Sequence, residues 1–278
     1  MKKYNLYTLS AITFAMIMSS CNGDAKKAQE RLDKAQSYYE QGDFFSARNE
    51  IDSIRALYPK EVDALKNALE LMRKVDFKES ERNLAYCDSL LPIRMQEVED
   101  LKKGFVFEKD SDYQEIGNYI WKQQTIERNV QRCYIRCGVD ERGEMYLASV
   151  YFGGKPINHT GIRLSAGGDL FAETASIPYD GGINYRFKDM GNTTEVVTYK
   201  GDAGKDAVQF IYDNSDKRIK VEYTGGKPYV IYIAEGDKKA LTATYNLASV
   251  LSDIDHLKTE KQKAEKKQAY LKNKLESL

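Results

Sequence analysis

The feature that most restricts what this chain can fold into is a change of hydrophobic period at Gly104. Before it, from about Ala25 to Lys103, apolar residues recur every three or four positions, the spacing that lines one face of an α-helix. After it, from Phe105 to about Gly236, short stretches rich in aromatic and β-branched residues alternate with turn clusters, and the pattern offers no helical run of useful length. The helical period returns from Asp237, a suitable N-cap, to Leu278. Helices and strands segregated in this way predict an α+β protein, since a parallel sheet would need them to alternate. The expected division is a helical module over 28–104, an antiparallel β domain over 105–236 and a C-terminal helix over 237–278.

Within the β region the clearest hairpin joins Arg132–Val139 to Glu144–Phe152 through Asp140-Glu141-Arg142-Gly143. Further turn clusters stand at Gly167-Gly168-Asp169, Asp180-Gly181-Gly182, Asp213-Asn214-Ser215-Asp216 and Gly225-Gly226-Lys227-Pro228. Ile219, Val221 and Tyr223, then Val230 and Tyr232, alternate as half-buried strands do. Turns every ten to fifteen residues or so favour a sandwich or a partly closed barrel. Thirteen of the 20 tyrosines fall between Tyr113 and Tyr245, joined by Trp121 and four phenylalanines, with Phe105 and Phe107 just before them. Exposed aromatic rings can stack on sugars, which makes Trp121 a candidate ligand-binding aromatic, although tyrosine is also simply a good strand residue.

The C-terminal segment carries a seam. Steps of alternating threes and fours pass through Leu247, Val250, Ile254, Leu257, Lys261, Ala264, Gln268, Leu271, Leu275 and Leu278, and eight of these ten are apolar. A helix from Asp237 to Leu278 would be about 60 Å long. Between Lys258 and Lys267 only Ala264 is apolar, so Leu247–Leu257 is expected to dock within the protomer. Any homodimer would pair through Leu271–Leu278.

At the other end, Lys2 and Lys3 precede an apolar run from Leu6 to Met18, closed by Ser19 and Ser20 ahead of Cys21. A charged start, a short apolar core and small residues describe a secretory signal over 1–20, too short for a transmembrane helix. Met18-Ser19-Ser20-Cys21 resembles the lipobox of bacterial lipoproteins. That resemblance implies removal of the signal, a diacylglycerol on the Cys21 thiol, acylation of the new amine and a polar tether over 21–27. Surface-displayed lipoproteins of the Bacteroidetes carry an acidic cluster after the cysteine. Here Asp24 is the only acid before Lys26 and Lys27, which favours the periplasmic face of the outer membrane. Without Lys2 and Lys3, 40 basic residues face 42 acidic ones, so the chain lacks the basic surplus of a nucleic-acid binder. Acyl chains rather than a polybasic patch would hold it to lipid.

Tyr38, Gly42, Phe44, Ala47, Ile51, Ile54 and Pro59 are spaced like the inter-helix turn and second helix of a tetratricopeptide repeat. Phe77, Ser80, Leu84, Cys87 and Pro92 stand at matching offsets and read as a second copy, turning near Val75 and ending at Pro92. Ile93–Lys103 would cap the pair. The resemblance covers roughly a quarter of the chain and implies a groove for a peptide or protein segment, or a spacer that lifts the next domain from the membrane.

Signals for catalysis are sparse. The histidines are His159, in Asn158-His159-Thr160-Gly161, and His256, on a charged helix face. His159 is the better base, but no Gly-x-Ser-x-Gly element accompanies it. Gly153-Gly154-Lys155 lacks phosphate-loop spacing, and Asp110-Ser111-Asp112 lacks the glycine and glutamate of a calcium loop. Cys133 and Cys137 sit about 13 Å apart on an extended strand, too far to bridge, and read as inward apolar residues. The sequence therefore predicts no cofactor and no metal. It points to an anchored, non-enzymatic adapter that binds an envelope protein, with a glycan-binding protein as the alternative and a hydrolase using His159 as a third reading.

Overall fold

A computed structural model describes residues 7–110, 112 and 114–276, with the backbone alone over 7–22. The Cys21 side chain and most of the expected signal and lipobox thus lie outside the described residues, as does Leu278. The chain is α+β, and it divides into two compact units. One takes residues up to Asp88 together with those from Thr259 onward, and the other is Ser89–Lys258.

The first unit is helical. Helix α1 (Tyr7–Glu40) is followed by α2 (Phe44–Leu57) and by the first part of α3 (Val62–Lys102). Gly42 turns the chain between α1 and α2 at φ +76°, a conformation that costs glycine little. Asp43 then caps α2, its carboxylate accepting from the Ser46 amide at 3.0 Å. Ala47, Ile51 and Ile54 face inward as their spacing demands and pack with Ala28, Ala35 and Ala68, small residues that let the helix axes approach. Tyr38 and Phe44 flank this core half-buried, and Pro59 follows the end of α2. Arg48 pairs with both Asp76 and Glu79, and Lys267 reaches Asp76 at 3.0 Å.

The second repeat copy is not built as expected. Helix α3 runs without interruption past Val75 and through Pro92 to Lys102. Nothing at Val75-Asp76 favours a turn: Val75 is fully buried, and no glycine takes the place of Gly42. Ser80 and Cys87 are buried and Phe77 and Leu84 half-buried on this one continuous helix.

In the second unit ten strands form two antiparallel sheets. The six-stranded sheet has the order β1 (Phe105–Glu108), β2 (Asn118–Trp121), β3 (Tyr134–Asp140), β4 (Met145–Gly153), β8 (Asn192–Lys200), β7 (Asn184–Asp189). The other runs β10 (Tyr229–Tyr232), β9 (Lys220–Thr224), β5 (Gly161–Ser165), β6 (Phe171–Glu173). The β3–β4 hairpin forms where expected, with Gly143 at φ +88° in its turn. Ile219, Val221 and Tyr223 are buried, whereas Val230 and Tyr232 lie on the outer side of β10.

A shared core joins the sheets through Leu147, Val197 and Tyr199 from one and Ile162, Leu164 and Val221 from the other. Helix α4 (Lys205–Asp213) inserts Ala207 and Ile211 into it. This helix corrects the expectation of an all-strand region; its nine residues carry aromatic and β-branched side chains that mimic a strand, but the buried pair stands at i and i+4.

Helix α5 (Glu235–Glu276) begins two residues before the expected cap. Asp237 lies in its first turn, where it accepts from Gln124 and pairs with Arg132. Leu247, Val250 and Ile254 pack with Val98, Phe105 and Val139 inside the second unit, as the docking expectation held. Leu271 is also buried within the single chain, which leaves the tail seam less free for a second copy than its sequence suggested. Among the described residues no helix is long and apolar enough to cross a membrane.

Candidate functional site

The pleat of the six-stranded sheet sorts side chains onto two faces. On β4 and β8, Leu147, Ser149, Tyr151, Glu195, Val197 and Tyr199 point toward the second sheet, and their neighbours in sequence point away. Each face carries one polar feature that strand patterning alone would not place there.

On the inner face the structure brings His159 to a serine and a carboxylate. The Ser149 hydroxyl lies 2.9 Å from His159 Nε2 and 2.9 Å from the Tyr199 hydroxyl. His159 Nδ1 is 2.9 Å from Glu195 Oε2. Glu195 also accepts from the backbone amides of Ile157, Asn158 and His159. Burial works to raise the Glu195 pKa, but the hydrogen bonds from His159 and the two amides outweigh it and hold the carboxyl below the usual glutamate range. Burial also pushes the Tyr199 hydroxyl well up.

Serine, histidine and carboxylate thus have the order and spacing of a nucleophile–base–orienter relay. Accessibility argues against that use. Ser149 is 0% exposed, His159 and Glu195 are 2% each, and the ring of Tyr223 stands edge-on to His159 at 4.9 Å. A substrate carbonyl would have to enter a packed core, so the relay acts here as a hydrogen-bonded post between the sheets. His256 lies exposed on α5, remote in role from this cluster.

The outer face is different. Tyr134, Val150, Val196 and Tyr185 stand in one row across four strands, with Phe152, Thr194 and Phe187 in the next row on one side and Arg136 beside Ala148 on the other. Tyr134, Ala148, Val150 and Val196 are buried as a small cluster of their own. A pocket of about 250 Å³ opens over this face. Its walls are the segment Ile126–Arg132 and the tip of the β7–β8 hairpin, where Met190 adopts φ +46° and is 89% exposed.

Two arginines line the pocket, and they differ. Arg132 is committed: it stacks over the Tyr134 ring at 4.8 Å, donates to Asn129 and pairs with Asp237. Arg136 takes part in no ion pair among the described residues, and its Nε is buried without a hydrogen-bond partner. Among the described residues the other buried side-chain polar atom left in this state is the Thr193 hydroxyl, at the start of β8 and on the inner side. Burial raises the Tyr146 hydroxyl beside Arg136 to about 12, so that neighbour stays neutral and cannot neutralise the guanidinium.

No family model, curated protein or solved structure matches this chain. The site therefore has to be read from its own geometry.

Of the residues singled out from sequence, Trp121 is not an open platform. Its ring lies edge-on to Phe105 at 5.2 Å, and a Cβ on Gly104 would fall 2.2 Å from it. Cys137 is fully buried and Cys133 partly so, both free; burial pushes the Cys137 thiol up to about 12, which keeps it a protonated, inert core residue. No group of three or more His, Cys, Asp or Glu side chains is placed to hold a metal ion among the described residues. Sequence reasoning missed Ser149, Glu195 and Arg136. The available signal was parity, since Glu195 alternates with Val197 and Tyr199 as an inward residue does, and a charged group at such a position needs partners.

Proposed function

We propose that this chain is a membrane-anchored envelope lipoprotein, held by acyl chains on Cys21, that acts as a non-enzymatic adapter and engages another envelope component through the outer face of the six-stranded sheet. The observation that carries the reading is the preformed apolar pocket over Tyr134, Val150 and Val196 with an uncommitted arginine in its wall. Exposed apolar surface of this kind marks recognition sites in soluble proteins. The hydrolase alternative is disfavoured because Ser149 and His159 are sealed in the core. The glycan alternative loses its leading residue with Trp121 packed against Phe105. Near-parallel Tyr185 and Phe187 remain as aromatic surface beside polar lining residues such as Gln131 and Asp189, and the glycan reading rests on these alone.

Two experiments test the proposal. Cys21→Ser should move the protein from the membrane to the soluble fraction and abolish labelling by fatty acid; wild-type protein that takes no label would overturn the anchoring. A photo-crosslinking amino acid at Phe187 in intact cells should capture one envelope protein, while the same group at exposed Lys188, whose side chain points to the opposite face, should not. Equal capture from both positions, or none from Phe187, would remove the adapter reading.

A further inference from the structure

The pocket has an apolar floor and, of its two lining arginines, one that no acid among the described residues pairs, and that asymmetry specifies a ligand. Resting on the adapter reading, we propose that the occupant is the C-terminal end of a partner polypeptide, with the terminal carboxylate on Arg136 and a large apolar last side chain against Tyr134, Val150 and Phe187.

Three observations lead there. First, Arg136 is the lining cation without a partner, and a planar guanidinium is best satisfied by a carboxylate, which it can grip with two parallel hydrogen bonds. Arg132 does not compete, because Asn129, Asp237 and the Tyr134 ring already hold it. Asp189, the acidic residue of the lining, sits at the opposite end of the strand rows, past Phe187, whereas Arg136 lies one step beyond Tyr134 in the other direction. Among the lining residues, the unpaired cation and the acid therefore stand at opposite ends.

Second, the volume of about 250 Å³ lies just below the ~300–1,000 Å³ usual for whole small-molecule ligands. It suits one terminal residue, with the preceding chain leaving through the open side past Met190. Third, the buried floor of Tyr134, Ala148, Val150 and Val196 offers no polar side-chain group except the Tyr134 hydroxyl, so it suits an apolar side chain, while the charge of a ligand is best met at the Arg136 end. A free carboxylate next to an apolar side chain has that layout. An internal peptide segment does not.

The test uses the full chain and fluorescein-labelled hexapeptides ending in Leu-Phe, either as the free acid or as the C-terminal amide, read by fluorescence anisotropy. The free acid should bind, and the amide should bind roughly 10- to 100-fold more weakly, the loss expected for a charge-assisted contact. Arg136→Leu should bring the acid down to the affinity of the amide, whereas Met190→Ser should weaken both peptides alike and keep their ratio. Melting curves and near-ultraviolet circular dichroism establish that each variant is folded. Equal binding of acid and amide, a preference that survives Arg136→Leu, or binding of 3-phenylpropionate as tight as that of the peptide acid would each overturn the proposal. These outcomes separate from failure of the adapter reading. If the crosslink from Phe187 persists while acid and amide bind equally, the face recruits a partner by another part of its chain; if the crosslink is absent, the face recruits none.

Discussion

The two faces of the six-stranded sheet treat buried polarity in opposite ways. On the inner face Ser149, His159, Glu195 and Tyr199 form a connected chain in which every ring nitrogen and both carboxylate oxygens have partners. On the outer face, the width of a strand away, Arg136 keeps a buried Nε with none. Buried groups in a finished core are satisfied, because leaving one unpaired costs about 1–3 kcal/mol. The inner network completes the fold by itself. The outer arginine is left incomplete by the described residues of the chain, and that difference, rather than the identity of the residues, is why the recognition site is proposed on the outer face. By identity alone, serine, histidine and glutamate would have seemed the functional set.

The largest expected effect breaks the inner side of this contrast. His159→Ala strips Glu195 and Ser149 of their shared partner in the core and should cost about 3–5 kcal/mol in chemical denaturation. A variant as stable as the wild type would mean that the network is dispensable, and the relay would have to be reconsidered as a functional one. Next in size is a pH effect. Glu195 is held below the usual glutamate range, so its contribution to stability is present above the unfolded pKa of about 4.3 and is lost as the pH falls through its folded value. Acid unfolding should therefore be steep below about pH 4.3, and Glu195→Gln should flatten it while lowering stability at neutral pH. Asp237 works with the opposite sign. Burial raises its pKa against the pull of Arg132 and Gln124, so its own contribution is largest when protonated and declines as the pH rises through its folded value. The smallest effect sharpens the outer side. Arg136→Leu should stabilise the unliganded protein by about 1 kcal/mol, read as a rise in melting temperature of about 2–4 °C. A fall would show that the guanidinium is better satisfied than its geometry indicates.

What could be read from the sequence followed the range of the forces involved. The turns at Gly42-Asp43 and Asp140-Gly143 were legible because their chemistry is local: a glycine at positive φ, a capping carboxylate, an alternating strand on either side. The stripe Phe77, Ser80, Leu84 and Cys87 was legible as a period, but the turn before it was inferred from the neighbouring hairpin rather than from any breaker of its own, and α3 runs straight through. Helix α4 was hidden by residues that suit strands equally well, and only packing of Ala207 and Ile211 on the shared core decides for the helix. The candidate site was least legible. Arg136 meets Ala148 through β3–β4 pairing, and Ser149 and Glu195 reach His159 together only because β4 and β8 are neighbours, although the two residues stand 46 positions apart in sequence. Strand adjacency at that separation is a property of the fold, and no spacing rule announces it.

Met190 gives the pocket a chemical sensitivity. Its thioether projects from the hairpin tip almost fully exposed, and it forms part of an otherwise apolar wall. Oxidation to the sulfoxide would set a strong dipole in that wall without disturbing the core, since the side chain is 89% exposed and belongs to none of the buried clusters. Peroxide treatment should therefore weaken the proposed peptide binding while leaving the fold intact, and a methionine sulfoxide reductase should restore it.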